Sequence, residues 1–228
     1  MKKYTLFTLL VLLGFSQLGY SANFAEYMAI LSMYVKNPSE VGEVAPLSKN
    51  VGVEIARFVI ADLEKGKNYL EAGGGFGSIS VCIAKKLGLN DHLDVVEINP
   101  KMCEVLKKRL AKYPNVTVHC CSILDWHPDY QYDAIVSTLP FLSLGIDFTQ
   151  QAMHYFKSKC AKDGMFSCVE FPVCTFCRSL ADQVCLHKAK NLTLVQKYMA
   201  KFRERYLLES TTIWSNIPPI NVYHLKLA

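Results

Sequence analysis

Beyond residue 15 the chain has no apolar run approaching the roughly 18 residues of a membrane-crossing helix, which excludes a polytopic membrane protein. Charge is also scarce: Asp, Glu, Lys and Arg make up 20% of 228 residues. With 51% hydrophobic residues, 12 Tyr and 12 Phe, that excludes a disordered chain. The excess of 25 basic over 20 acidic residues is too small for a dedicated nucleic-acid binder, so no DNA partner is expected and RNA is disfavoured. There is no internal repeat, low-complexity tract or linker. The nine cysteines lack the regular spacing of a disulfide scaffold, so free thiols in a reducing compartment are expected. A chain this long builds its own core without a metal or disulfide framework.

What is present begins with grease at the start. Lys2 and Lys3 precede an apolar run from Tyr4 to Phe15, followed by small residues around Gly19 and Ser21. This describes either a signal peptide or an uncleaved membrane anchor over residues 1–22. One domain, residues 23–228, follows. A helical pattern runs from Phe24 to Tyr34, and Ser48 introduces a helix over 49–63. Strands at 69–72, 93–98, 116–120, 132–137 and 165–171 then alternate with helices at 79–87, 102–110 and 148–159. That alternation means an α/β fold with a mostly parallel central sheet and helices on both faces. Two further strands, 206–214 and 222–227, suggest a C-terminal antiparallel hairpin closing one edge.

Between Lys188 and Arg205, six basic residues face a single Glu204, and Leu192, Val195, Tyr198, Met199 and Phe202 fall at helical spacing. This basic amphipathic helix suits an anionic membrane surface or an ordinary solvated face. Cys174, Cys177, Cys185 and His187 invite a zinc reading. On one helix, however, Cys174 and Cys185 lie about 16 Å apart along the axis, so they cannot share an ion. Buried cysteines and no metal are expected.

The chemistry concentrates in the first crossover. Glu71-Ala72-Gly73-Gly74-Gly75-Phe76-Gly77 stands between a strand and a helix, where glycines let a ligand approach the backbone and helix N–H groups point at it. Glu97 ends the next strand, where a carboxylate can hold two ribose hydroxyls. Together they read as a nucleoside-cofactor site. The loop has the form ExGxGxG rather than the dinucleotide GxGxxG. From Asn68 to Phe171 the sequence resembles the S-adenosylmethionine (SAM)-dependent methyltransferases of the Rossmann-like class. The resemblance implies SAM as cofactor. It further implies that Gly73, Gly75 and Gly77 wall the methionine part near Glu71, that Glu97 holds the ribose, and that Ile98 packs on adenine. Ser122 stands where that class usually carries an acid near the adenine amino group, and Asp125 comes three positions late. Ser122 or the Ile123 N–H would serve instead.

After the fourth strand, Ser137-Thr138-Leu139-Pro140 resembles the S-x-L-P string of bacterial soluble-fold phospholipid N-methyltransferases. Enzymes that methylate amino groups carry a polar residue plus Pro at this place, where main-chain oxygens face the acceptor amine, and the resemblance implies that Ser137 also borders the cofactor. Asn37-Pro38 through Pro46-Leu47-Ser48 and Asn216-Ile217-Pro218-Pro219-Ile220-Asn221-Val222-Tyr223 resemble the same family's terminal segments. The resemblance implies methyl transfer to a head-group amine, most simply phosphatidylethanolamine, with a phospholipid surface as partner. It also implies a location at the cytoplasmic face of a membrane, peripheral or N-terminally anchored; export after signal cleavage is the alternative. No dedicated base stands out: main-chain carbonyls near Ser137–Leu139, Asp147, Glu170 or a tyrosine are candidates. Two other functions fit the loop: an adenine N6-methyltransferase acting on RNA, and a non-catalytic SAM-binding, membrane-associated protein.

Overall fold

The computed structural model describes residues 47–62, 64–170, 186–216 and 219–227, with backbone alone for 186–192. The hydrophobic N-terminal segment, the 24–34 helix, the Asn37–Pro46 motif, Cys174, Cys177, Cys185 and the Ile217–Pro218 pair lie outside the described residues or their described side chains. The elements are α1 (Lys49–Ile55), β1 (Asn68–Ala72), α2 (Ser78–Ala84), β2 (His92–Glu97), α3 (Pro100–Leu110), β3 (Val116–Cys120), β4 (Tyr132–Ser137), α4 (Phe141–Leu144), α5 (Ile146–Lys159), β5 (Cys160–Glu170), α6 (Leu186–Tyr206), β6 (Leu207–Ile213) and β7 (Ile220–Leu225).

The seven strands form one sheet in the order β3-β2-β1-β4-β5-β7-β6. The first five are parallel; β7 runs antiparallel to both β5 and β6. This is the Rossmann-like methyltransferase fold, with the expected hairpin at one edge. The strand order reverses between β1 and β4, the switch point at whose carboxyl ends open α/β sheets bind their ligands.

Both faces of the sheet are covered, which explains the continuous apolar strands. On one face Leu70, Val96, Ile135, Phe156 and Phe166 pack with Val195 and Met199 of α6. On the other, Val51, Ile55, Tyr69, Ile83, Val95 and Leu106 join α1, α2 and α3. The basic helix is therefore anchored by a buried apolar stripe. Ser48 caps α1 by accepting from Val51 N–H. This helix stops at Ile55 rather than running to residue 63, because Lys86 Nζ donates to the Ala56 and Arg57 carbonyls and the chain turns away. Tyr69 Oη–H then donates to the Ile60 carbonyl at 2.6 Å and fixes the return to β1.

Two polar groups interrupt the core. Asp94, in the middle of β2, accepts from His92 (3.2 Å), His119 (2.6 Å), Tyr130 (2.6 Å) and Tyr132 (3.0 Å). Trp126 Nε1–H donates to Tyr132 Oη, and its ring stacks on His119. On the opposite face, buried Ser167 and His224 pair at 2.7 Å across β5 and β7, and His224 Nε2 approaches Glu54 of α1 at 3.4 Å.

Cysteine pairing corrects one expectation. Cys103, in the first turns of α3, and Cys120, at the end of β3, are joined as a disulfide with Cα atoms 5.9 Å apart. The helix packs over the edge strand and brings together two thiols 17 residues apart. Among the described residues Cys82, Cys121, Cys160 and Cys168 remain free, and no three His, Cys, Asp or Glu side chains are grouped to hold a metal.

Candidate active site

Ala72 lies beside Val96 on one side and Ser137 on the other, and Glu97 lies beside Cys120. This register brings the Glu71–Gly77 loop, Glu97–Ile98, Ser122–Ile123 and Ser137–Pro140 to one end of the sheet. The residues expected from the sequence to form the site therefore share the carboxyl end of the sheet.

The glycine loop is held by main chain and carboxylate together. Gly73 N–H donates to the Val96 carbonyl at 2.9 Å. Gly75 N–H donates to Glu97 Oε2 and Asn99 N–H to Glu97 Oε1, both at 2.8 Å. Asn99 in turn caps α3 through its side chain, with Pro100 at the first helical position. Gly73 and Gly77 both have φ of +87°, a region that L side chains rarely adopt. A Cβ on Gly73 would stand 3.1 Å from Leu139 Cδ2 and 3.2 Å from Thr138 Oγ1. The β1 and β4 loops thus touch, and Thr138 Oγ1–H donates to the Gly73 carbonyl at 2.6 Å. Arg109 Nη1 holds the far side of the loop through the Phe76 carbonyl.

Glu71 is fully buried at the end of β1. Ile98, by contrast, is 69% exposed immediately after Glu97. A large apolar side chain in solvent next to a carboxylate suits a purine face beside a ribose diol. Ser122 spends its hydroxyl on the Leu124 N–H, at the start of a short 3-10 turn over Ile123–Asp125, while Ile123 is buried. Glu71, the three glycines, Glu97, Ile98 and the Ser122–Ile123 turn fit a nucleoside with an amino-acid tail.

The acceptor side lies over β4 and β5. Ser137 is buried, and its Oγ accepts weakly from Leu139 N–H at 3.4 Å. Pro140 has no N–H to donate and leads into α4. One strand over, Cys168 lies beside Ser137, and Glu170 ends β5 two residues further on. Burial pushes the Glu170 carboxyl up, opposed by Arg203 of α6, which forms an ion pair with it. The contacts of Asn99, Arg109, Thr138 and Arg203 with the site have no signal in the sequence, because each depends on how the elements pack. Asp147, offered as a base, is exposed in the first turn of α5.

Comparison with known proteins agrees with this geometry. Residues 70–164 match the model of a methyltransferase domain family. The chain is 34% identical over 88 residues to a tRNA1(Val) (adenine(37)-N6)-methyltransferase of Aliivibrio salmonicida, a stretch covering 37% of each protein. It is 31% identical over 97 residues to malonyl-acyl-carrier-protein O-methyltransferase 1 of Ilyobacter polytropus, covering 42% of this chain and 35% of that one. The matches thus span little more than a third of these relatives. Among solved structures, the N-methyltransferase NodS from Bradyrhizobium japonicum WM9 superposes with a TM-score of 0.58 at 14% identity, covering 78% of this chain and 94% of that one. A putative rRNA-methylase from Clostridium thermocellum gives 0.55 at 18% identity, covering 78% and 94%. At these identities the structural matches establish the fold.

Proposed function

We propose that the protein transfers the methyl group of SAM to a phospholipid head-group amine, with phosphatidylethanolamine as the simplest substrate. The observation that carries this reading is the Ser137-Thr138-Leu139-Pro140 string at the mouth of the crevice, latched to the glycine loop through Thr138 and Gly73. SAM, when bound, supplies an electrophilic methyl on a sulfonium. The chain's part is to hold the two partners: Glu97 at the ribose, Ile98 at the adenine, and the turn after β4 at the amine. Fixing an amine against that methyl removes the entropy of a bimolecular encounter, worth up to roughly 7–11 kcal/mol.

The shape of the active end supports a lipid substrate. Because β7 is antiparallel to β5 and β6, β6 finishes at the same end as β1 to β5. That puts Trp214, 78% exposed, at the carboxyl end of the sheet, where exposed Val53 of α1 lines the same surface hollow. An aromatic that is apolar in body and polar at one end suits a bilayer interface. The enzyme would then sit at the cytoplasmic face of a membrane, where SAM is available, with residues 1–22 as a retained anchor. No helix among the described residues is long and apolar enough to cross a membrane, so the proposed attachment is peripheral apart from that segment.

The test is methyl transfer from labelled SAM to liposomes of defined head groups. Label in phosphatidylethanolamine is the expected result; label in no lipid overturns the reading. Mass spectrometry of the mature N-terminus tests the anchor, and a chain starting at Ala22 contradicts it. The similarity to a tRNA adenine methyltransferase favours RNA as the second substrate class. Under that reading, transcripts acquire N6-methyladenine and binding weakens steeply with salt.

A further inference from the structure

We propose that Glu170 and Arg203 form the subsite that first receives the zwitterionic phosphoethanolamine unit, Glu170 meeting the ammonium and Arg203 the phosphate; the nitrogen then loses one proton to solvent and reaches the SAM methyl as the neutral amine at the Ser137–Pro140 turn. This rests on the phospholipid reading above and specifies how that site selects its substrate.

Place comes first. Glu170 ends β5 at the active end of the sheet, one strand over from the Ser137–Pro140 turn. Arg203 reaches it from α6, and each side chain keeps under a fifth of its surface in solvent (18% for Arg203, 19% for Glu170). A largely buried ion pair is an unpromising device for stability, because desolvation takes back much of its attraction. It is a good device for recognition. An incoming zwitterion carries the same two charges, so each partner exchanges one opposite charge for another and no charge is left buried alone. Guanidinium pairs with phosphate oxygens in a fixed, two-toothed geometry.

The C-terminal hairpin explains why the guanidinium is held there. Arg203 lies over the Tyr223 ring, 4.6 Å from its centroid. Tyr223 Oη accepts from Asn221 Nδ2 at 3.1 Å, and Asn221 Oδ1 accepts from Thr212 at 2.8 Å. Asn221 and Tyr223 belong to the Asn216–Tyr223 motif, which otherwise has no part in holding SAM. They act as positioning residues for Arg203. The arrangement also selects against a polyanion: Glu170 would stand among nucleic-acid phosphates with no cation to meet it.

The experiment compares wild type, Arg203→Met, Glu170→Gln and the charge-reversed pair Glu170→Arg with Arg203→Glu. Each is assayed on phosphatidylethanolamine diluted into phosphatidylcholine vesicles. SAM affinity is measured by calorimetry and melting by circular dichroism. The single variants should raise KM for the lipid at least about tenfold, with kcat changed far less and SAM affinity intact. Reversal should restore the melting temperature but not the KM, since the ammonium now meets a guanidinium. If reversal restores activity, or the single variants keep the wild-type KM, the pair is structural and the subsite is wrong. A wild-type enzyme that labels no lipid overturns the phospholipid reading, and this subsite with it.

Discussion

Glu97 binds two main-chain N–H groups at once, one on each side of the crevice floor. Its carboxylate therefore shapes the glycine loop, in addition to the ribose contact proposed for it. Hydrogen bonds to a charged group contribute about 1.5–3 kcal/mol each. Glu97→Ala should weaken SAM binding by at least about tenfold in a calorimetric titration; an unchanged Kd would remove this residue from the cofactor site. Gly74 makes a different point. A Cβ there would stand 2.5 Å from Val95 Cγ1 and 2.9 Å from Leu106 Cδ1, both inside the core. Gly74→Ala should destabilise the fold by about 1–3 kcal/mol in urea unfolding, whereas a loop position with room would tolerate the methyl.

At the scale of elements, Asp94 ties β2 to β3, to the loop before β4 and to β4 itself. Burial alone would raise its carboxyl. The four donors His92, Tyr130, His119 and Tyr132 outweigh that and bring it down to about 2, from an ordinary 3.8. A carboxyl lowered on folding adds stability that is fully present above pH 3.8 and is lost as pH falls toward 2, on the order of 2 kcal/mol in all. The stability gap between wild type and Asp94→Asn should therefore be flat between about pH 5 and 6.5, narrow toward pH 2, and narrow again at higher pH as the His92 contribution fades. A gap independent of pH in acid would mean that the four contacts do not favour the ionised form. His92 acts in the other sense. Its hydrogen bond to Asp94 raises it, so its contribution is complete below pH 6.5 and fades as pH climbs past its raised value.

These elements also show what was legible in advance. The boundaries of β4 coincide with the apolar run 132–137, because an interior strand needs side chains buried on both faces, and those of the edge strand β3 coincide with the alternating run 116–120. The glycine loop and Glu97 were legible because tight turns restrict residue type. The apolar rhythm predicts α1 eight residues longer than it is, since Phe58 and Val59 continue the pattern while the Lys86 contacts end the helix. The Asp94 cluster and the Cys103–Cys120 bond were not legible. Both depend on β2 and β3 lying side by side and on α3 lying over them, which no local pattern encodes.

For the whole molecule, the placement of Trp214 makes membrane approach measurable. The chain has two tryptophans. Trp126 is already stacked on His119 and hydrogen-bonded to Tyr132, so a change on adding vesicles reports Trp214. A blue shift and increased emission with anionic vesicles are expected, and Trp214→Ala should abolish the shift and lower the fraction that sediments with them. Emission unmoved by lipid would argue that the active face does not meet a bilayer. Acid should loosen the contact between β7 and α1. Burial holds His224 neutral, below its usual 6.5, with Ser167 and Glu54 on its two nitrogens. Its contribution is therefore present above pH 6.5 and lost as pH falls toward its depressed value.

The order of strands in the sheet bears on how the protein is made. Strand β7 comes last among the described strands, yet it lies inside the sheet, between β5 and β6. During synthesis β6 emerges with no neighbour to pair with, and β5 presents a bare edge, until residues 220–225 leave the ribosome. An open edge of that kind is a template for pairing with the wrong chain. The growing polypeptide therefore runs its greatest risk of misassembly late, and a nascent chain stalled before Ile220 should be markedly more prone to aggregate than one stalled after Leu225 has cleared the exit tunnel.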